Sequence, residues 1–270
     1  MSSELTLPMM TLGRETSPEG KVKTHVDLLI YGRSKVGKTR LASTAPRPYV
    51  IAADPAGHKA FPYAVPGMIP SASAEGSAID SILRTMLYFY THDHPFDTLV
   101  LDGLTFLHDT FMREIGADYA ARGKSADPDL LGWDQRTKIL RQYKDILRRG
   151  IGLTQLENPN RRMHFICTTL EESIKDDPEA PFQIRPLFGT KSMNDDYPSL
   201  FTSICYITLD QNTKEGATTG DRVCLFSQMP GGILAGDRLD MFPHIAKNVN
   251  LSDYLYSKVE DEKQGGKRNK

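Results

Sequence analysis

One stretch constrains this chain more than any other: Val26-Asp27-Leu28-Leu29-Ile30-Tyr31-Gly32-Arg33-Ser34-Lys35-Val36-Gly37-Lys38-Thr39. A strand-forming apolar run, Val26 to Tyr31, leads without a spacer into G-x-x-x-x-G-K-T, from Gly32 to Thr39, and Thr39 to Ser43 suits a helix. Strand, glycine-bearing loop and helix start are the context in which this pattern cradles a polyphosphate. Gly32 and Gly37 let the backbone curl, so that the N–H groups of Arg33, Ser34, Lys35 and Val36 converge on one anion. The helix N-terminus adds partial positive charge at the same point. Lys38 is expected to reach the β- and γ-phosphates of a bound nucleotide, and Thr39 to place its hydroxyl on Mg²⁺.

A second carboxylate is needed to hold that ion. Asp97-Thr98-Leu99-Val100-Leu101-Asp102 supplies one: strand-forming residues end in an acid, which emerges at the sheet edge where ligands of open α/β sheets bind. Asp102 is the candidate for Mg²⁺. Gly103 follows it, so no acid directly after Asp102 can orient the attacking water. Ile51-Ala52-Ala53-Asp54 is another strand ending in a carboxylate, and Asp54 is the candidate general base.

A chain of 270 residues with 39% hydrophobic content fits one α/β core, or a core with a small appendage. The net charge of −1 gives no global basic signature, so nucleic-acid contact would need a local patch. Cys167, Cys205 and Cys224 lie in apolar runs without C-x-x-C spacing and read as buried thiols in a reducing compartment, not as a zinc site. The first 25 residues hold no apolar signal core, and no run approaches the roughly 20 apolar residues of a membrane span. A cytoplasmic location is expected.

Along the chain, residues 1–22 read as a flexible leader, 23–257 as the folded domain and 258–270 as a disordered charged tail. Helical spacing marks residues 76–90, Leu104 to Ile115, and a long segment through Trp133, Ile139, Tyr143 and Leu147. Residues 116–130 look like a surface excursion and 170–200 like a long loop region. Ser203 to Leu209 and Arg222 to Ser227 read as a hairpin. The expected fold is therefore α/β: a mainly parallel sheet flanked by helices, with a C-terminal antiparallel extension.

Four pieces, in this order, resemble the RecA-like branch of P-loop ATPases, and within it the phage nucleotide-binding proteins related to RecA-like single-strand annealing proteins. They are Leu28 through Thr39, Val50 to Gly57, Leu99 to Leu104, and Met163 to Thr168, the last similar to the strand that carries a γ-phosphate sensor. A fifth, Ile233 to Arg238, is similar to the Lys-x-Arg segment that RecA-like helicases insert into a neighbour's site. Arg238 keeps the arginine, and Gly236 replaces the lysine. The resemblance implies a RecA-like P-loop NTPase core that uses ATP and Mg²⁺, with Lys38, Asp54 and Arg238 as catalytic residues.

It also implies action on single-stranded DNA in recombination or annealing, a homo-oligomer, and single-strand-binding or replication proteins as partners. Thr168 and Thr169 stand where the family puts Gln or His, and Asp54 is shorter than its usual Glu. Both departures point to slow hydrolysis, or to a nucleotide switch rather than a motor.

For DNA contact the sequence offers two regions. Residues 170–200 mix Lys175, Arg185 and Lys191 with many acids, and carry Phe182, Phe188 and Tyr197 as possible stacking faces. Arg148, Arg149, Arg161 and Arg162 form the denser basic cluster, which also suits a helix C-terminus. The rival readings are a nucleotide-gated protein-binding switch without DNA contact, and a P-loop kinase, against which stands the lack of an arginine-rich lid. His92 and His94 read as a turn or surface pair.

Overall fold

The computed structural model describes residues 24–53, 77–123, 132–175, 182–210, 220–229 and 232–257, together with the backbone of 66–68. The expected leader, the charged tail and Asp54 lie outside the described residues. In chain order the strands are β1 (Asp27–Gly32), β2 (Pro48–Ala52), β3 (Pro66–Met68), β4 (Thr98–Asp102), β5 (His164–Ile174), β6 (Gln183–Leu187), β7 (Ser203–Leu209), β8 (Arg222–Leu225), β9 (Gly236–Asp237) and β10 (Ile245–Lys247). The α-helices are α1 (Lys38–Ala42), α2 (Ala78–Thr91), α3 (Leu104–Ala120), α4 (Trp133–Gly152) and α5 (Lys191–Asp196).

All six residues of β1 are buried. A strand with no exposed face belongs inside a sheet covered on both sides. β1 lies there, parallel to β5 on one side and to β7 on the other. The sheet continues past β5 through β4, β2 and β3, all parallel, and past β7 through antiparallel β8 and β10. β6 folds back on β5, and β9 on the start of β7, both antiparallel. The mainly parallel sheet with antiparallel strands at its C-terminal end is the arrangement expected from the sequence.

Alternating residues of the central strands feed two cores. Leu29, Leu101, Phe165 and Cys167 pack with α2, α3 and α4 on one face. Leu28, Ile30, Val100 and Ile166 pack on the other with Leu41 and Ala42 of α1 and with Phe242, Leu251 and Leu255 near the C-terminus. Among the described residues no helix is long and apolar enough to cross a membrane. All three cysteines are free and buried.

Three expectations need correction. α3 runs to Ala120 rather than ending at Ile115, because Gly116 is buried in its packed face and Ala117 and Ala120 favour helix. Residues 170–200 are not a long loop. β5 extends to Ile174 and pairs with β6, and α5 follows with Thr190 as its N-cap. The polar residues there satisfy one another: Arg185 donates to Glu172 and Asp195, and Asn194 donates to Glu172 and accepts from Phe188 N. His94 is not on the surface. It is buried against Phe89 and Phe96, while His92 stacks on Tyr88.

Gly150 tests how tightly α4 sits on the sheet. A Cβ there would overlap the ring of Phe165, itself fully buried and stacked on Phe201. Alanine in place of a mid-helix glycine would otherwise stabilise by about 1 kcal/mol. Overpacking of a closed core costs about 1–3 kcal/mol. Gly150→Ala is therefore expected to lower stability by about 1 kcal/mol in denaturant unfolding. Equal or raised stability would mean that the Phe165 ring is free to move.

Candidate nucleotide site

The loop after β1 is shaped by two close approaches. At Gly32 a Cβ would overlap the carbonyl oxygen of Ile207, so only glycine lets the loop begin this near β7. Gly37 adopts φ 105°, in the left-handed region, and a Cβ there would run into the side chain of Arg222. Val36 is buried among the apolar residues beneath α1 and anchors the loop. Ser34 and Lys35 stay exposed, and Lys35 holds φ 63°, a conformation that a non-glycine residue adopts only where its surroundings dictate it.

The functional side chains converge at the C-terminal edge of the parallel strands. Lys38 Nζ donates to the carbonyls of Gly32 at 2.9 Å and Arg33 at 2.7 Å, which holds the ammonium across the loop. Thr39 Oγ1 lies 3.0 and 3.1 Å from the two carboxylate oxygens of Asp102. Asp102 ends β4 and is only 2% exposed. Thr168 donates to Asp102 Oδ1 at 2.5 Å and accepts from Gly103 N at 2.9 Å. Its hydroxyl proton thus serves the acid that would hold the metal. Thr169 instead donates to the Leu187 carbonyl and meets Thr105 at 3.0 Å, tying β5 to β6 and α3.

A hydroxyl and a buried carboxylate offer oxygen donors only, as suits a hard cation. Mg²⁺ commonly takes few protein ligands and completes its octahedron with phosphate and water. Among the described residues no group of three or more His, Cys, Asp or Glu side chains is placed to chelate a metal alone. Thr39 and Asp102 therefore fit an ion that arrives with a nucleotide. With Lys38 and the loop amides they would hold its phosphate end, where the ion would offset phosphate charge.

The described part of β2 ends at this same edge, since Ala53 N donates to the Asp102 carbonyl at 2.8 Å; Asp54, one residue on, lies outside the described residues. Arg238 is at the opposite edge. Its N–H donates to the Thr202 carbonyl at 3.0 Å and its guanidinium to the Ser199 carbonyl at 3.4 Å, beside the start of β1. There Asp27 is buried. Burial pushes its carboxyl above the usual range, opposed by donors from Thr202 and by the charge of Arg238. Within one chain Arg238 does not approach Lys38.

The basic cluster also sits away from the loop. Arg148 and Arg149 lie at the end of α4, and Arg161 and Arg162 just before β5, at the edge where the parallel strands begin. Arg149 pairs with Asp145 and Arg161 with Asp93, both at 2.8 Å. Phe188 and Tyr197 are buried in the core and offer no stacking face, whereas Phe182 is 61% exposed.

Glycine loop, lysine, threonine and strand-end acid on one sheet edge define a P-loop nucleotide-binding domain of the α/β class. The family model described as an AAA domain matches residues 24–239, and the chain belongs to that family. No curated protein matches the chain.

Sequence reasoning missed two contributors. Arg222 reaches the loop from β8, and Arg33 Nε pairs with Glu171 Oε1 at 3.0 Å, linking the loop to the upper part of β5. Neither partner has a local motif; each is joined to the loop only by strand pairing. With Arg33 81% exposed, that pair contributes little stability.

Thr168→Val keeps the side-chain shape and β preference while removing the donor to Asp102. A hydrogen bond to a charged group contributes about 1.5–3 kcal/mol. The Mg²⁺ concentration that half-saturates nucleotide binding is expected to rise about tenfold, with metal-free binding little changed. An unaltered Mg²⁺ titration would show that Asp102 holds its place without Thr168.

Proposed function

We propose that this AAA-type domain binds ATP with Mg²⁺ and hydrolyses it slowly, as a RecA-like P-loop ATPase acting on single-stranded DNA in recombination or annealing. The observation that carries the nucleotide part is the meeting of Lys38, Thr39 and Asp102 at one edge. Slow turnover is supported by Gly103, which leaves the position after Asp102 without a base. Asp54 is the proposed general base.

The DNA part is supported by the ribbon of β5 and β6. β5 stays in register with β1 up to Leu170 and then runs on to Ile174, beyond the phosphate loop. Near its end Lys175 Nζ stands 5.6 Å from the ring centre of Phe182. An exposed aromatic face beside a cation suits stacking on unpaired bases and contact with phosphate. Arg33 and Glu171 join this ribbon to the loop, which supplies a path from nucleotide to strand. The runner-up, a nucleotide-gated protein switch, is favoured by the internal pairing of Arg185 with Glu172 and Asp195, which reduces the charge left for DNA.

A titration of single- and double-stranded DNA with and without ATP and Mg²⁺ tests both readings. Single strands are expected to bind more tightly with ATP, and binding to fall with salt as counterions are released. Lys38→Ala, which removes a point charge from the phosphates without touching the core, is expected to abolish tight ATP binding and the ATP-dependent part of DNA binding. No association with any strand at low salt would favour the switch. ATP binding undiminished by Lys38→Ala would remove the P-loop assignment.

Assembly as a homo-oligomer is part of the proposal, with Arg238 acting in a neighbouring subunit. Such a group meets charge that develops on the γ-phosphate. Arg238→Ala is then expected to leave ATP affinity unchanged and lower turnover, and wild-type turnover per subunit to rise with protein concentration. Turnover that is independent of concentration and unaffected by Arg238→Ala would make Arg238 a surface residue.

A further inference from the structure

Arg222, at the start of β8, is the side chain outside the glycine loop that grips it from the far end of the sequence. Its Nε donates to the Val36 carbonyl at 3.2 Å. Its stem fills the space beside Gly37, where a Cβ would lie 2.9 Å from Arg222 Cδ and closer still to Nε. Arg222 itself is fixed through its backbone. Its N–H donates to Asn248 Oδ1 at 3.0 Å, and its carbonyl accepts from Asn248 N at 2.8 Å. Asn248 Nδ2 also donates to Asp221 Oδ1 at 2.8 Å. Arg222 borders a cleft of about 400 Å³ that Lys35 and Arg40 also line.

We propose that Arg222 is a positioning residue of the phosphate loop, an inference that rests on the nucleotide-binding reading above. The Val36 carbonyl and the Gly37 N–H belong to one trans peptide and point in opposite directions. A donor that holds the carbonyl toward β8 therefore aims the Gly37 N–H away from β8, into the cradle. Loop geometry then depends on the C-terminal antiparallel strands as well as on the motif. The contact explains why position 37 excludes a side chain in this chain on two counts, its backbone angle and the arginine beside it.

The test compares ATP, ADP and inorganic tripolyphosphate, which has no nucleoside. Arg222→Ala is expected to weaken all three by a similar factor, about tenfold for one hydrogen bond from a charged donor. Arg222→Lys, which keeps a stem and a charge without the Nε, is expected to fall between, and it serves as the measure where the alanine variant does not fold. Amide hydrogen exchange of Gly37 in the nucleotide-free protein is expected to quicken in both variants, a change that a residue contacting only the ligand would not produce.

Weaker ATP binding with unchanged tripolyphosphate binding would overturn the proposal and place Arg222 on the nucleoside. Unchanged affinity for all three would reduce it to packing. A wild-type protein that binds none of the three would instead overturn the phosphate-loop reading, so the two failures are distinguishable.

Discussion

The phosphate edge depends on β5 lying between β1 and β4. Thr39, just after the loop that follows β1, has to meet Asp102 at the end of a strand two places away. The strand between them presents Thr168 at the crossing. It fills the gap and bonds the acid on its far side. An apolar side chain at this point would leave Asp102 buried with fewer donors, a costly state for a charge. Much of the local sequence follows from this requirement. β5 is buried on both faces up to Thr169, and the two threonines that close this buried stretch turn their hydroxyls to protein groups.

The parts legible in the sequence were those whose physics is local. The loop was readable because a glycine pair, a lysine and a threonine act within eight successive residues. Asp102 was readable because an apolar run ended in an acid. The continuous apolar runs of β1, β4 and β5 announced a parallel sheet. Residues 170–200 were misread because their polar character resembles a loop when neighbours in sequence are all that is seen. Glu172, Arg185, Asn194 and Asp195 become partners only once β6 folds back on β5. Arg222 was invisible for a similar reason: an arginine opening a short strand looks like any other until strand pairing brings it to Gly37.

The two ends of the strands carry different chemistry. At one, glycines, hydroxyls and an acid are arranged around a small space. At the other, the buried Asp27 meets Thr202 and the exposed Arg238, and of the four arginines near that end Arg149 and Arg161 are matched by Asp145 and Asp93. A positive count along the chain therefore overstates what that end offers to phosphates. The exposed Phe182 of the β5–β6 ribbon stands on the side of the loop, to which the ribbon is joined through Glu171 and Arg33.

The placement of β1 has a kinetic consequence. It is synthesised well before its partners: Asp27 pairs with Phe165, and Leu28 with Ser203. Until those strands exist, an apolar segment with two unpaired edges waits in the growing chain. Non-local pairing of this kind folds slowly and exposes strand edges to wrong partners meanwhile. A chain cut short before β7 would leave β1 as an open edge with its hydrogen-bonding groups exposed. Such fragments are candidates for aggregation or for chaperone binding during synthesis, even though the glycine loop itself is complete in them.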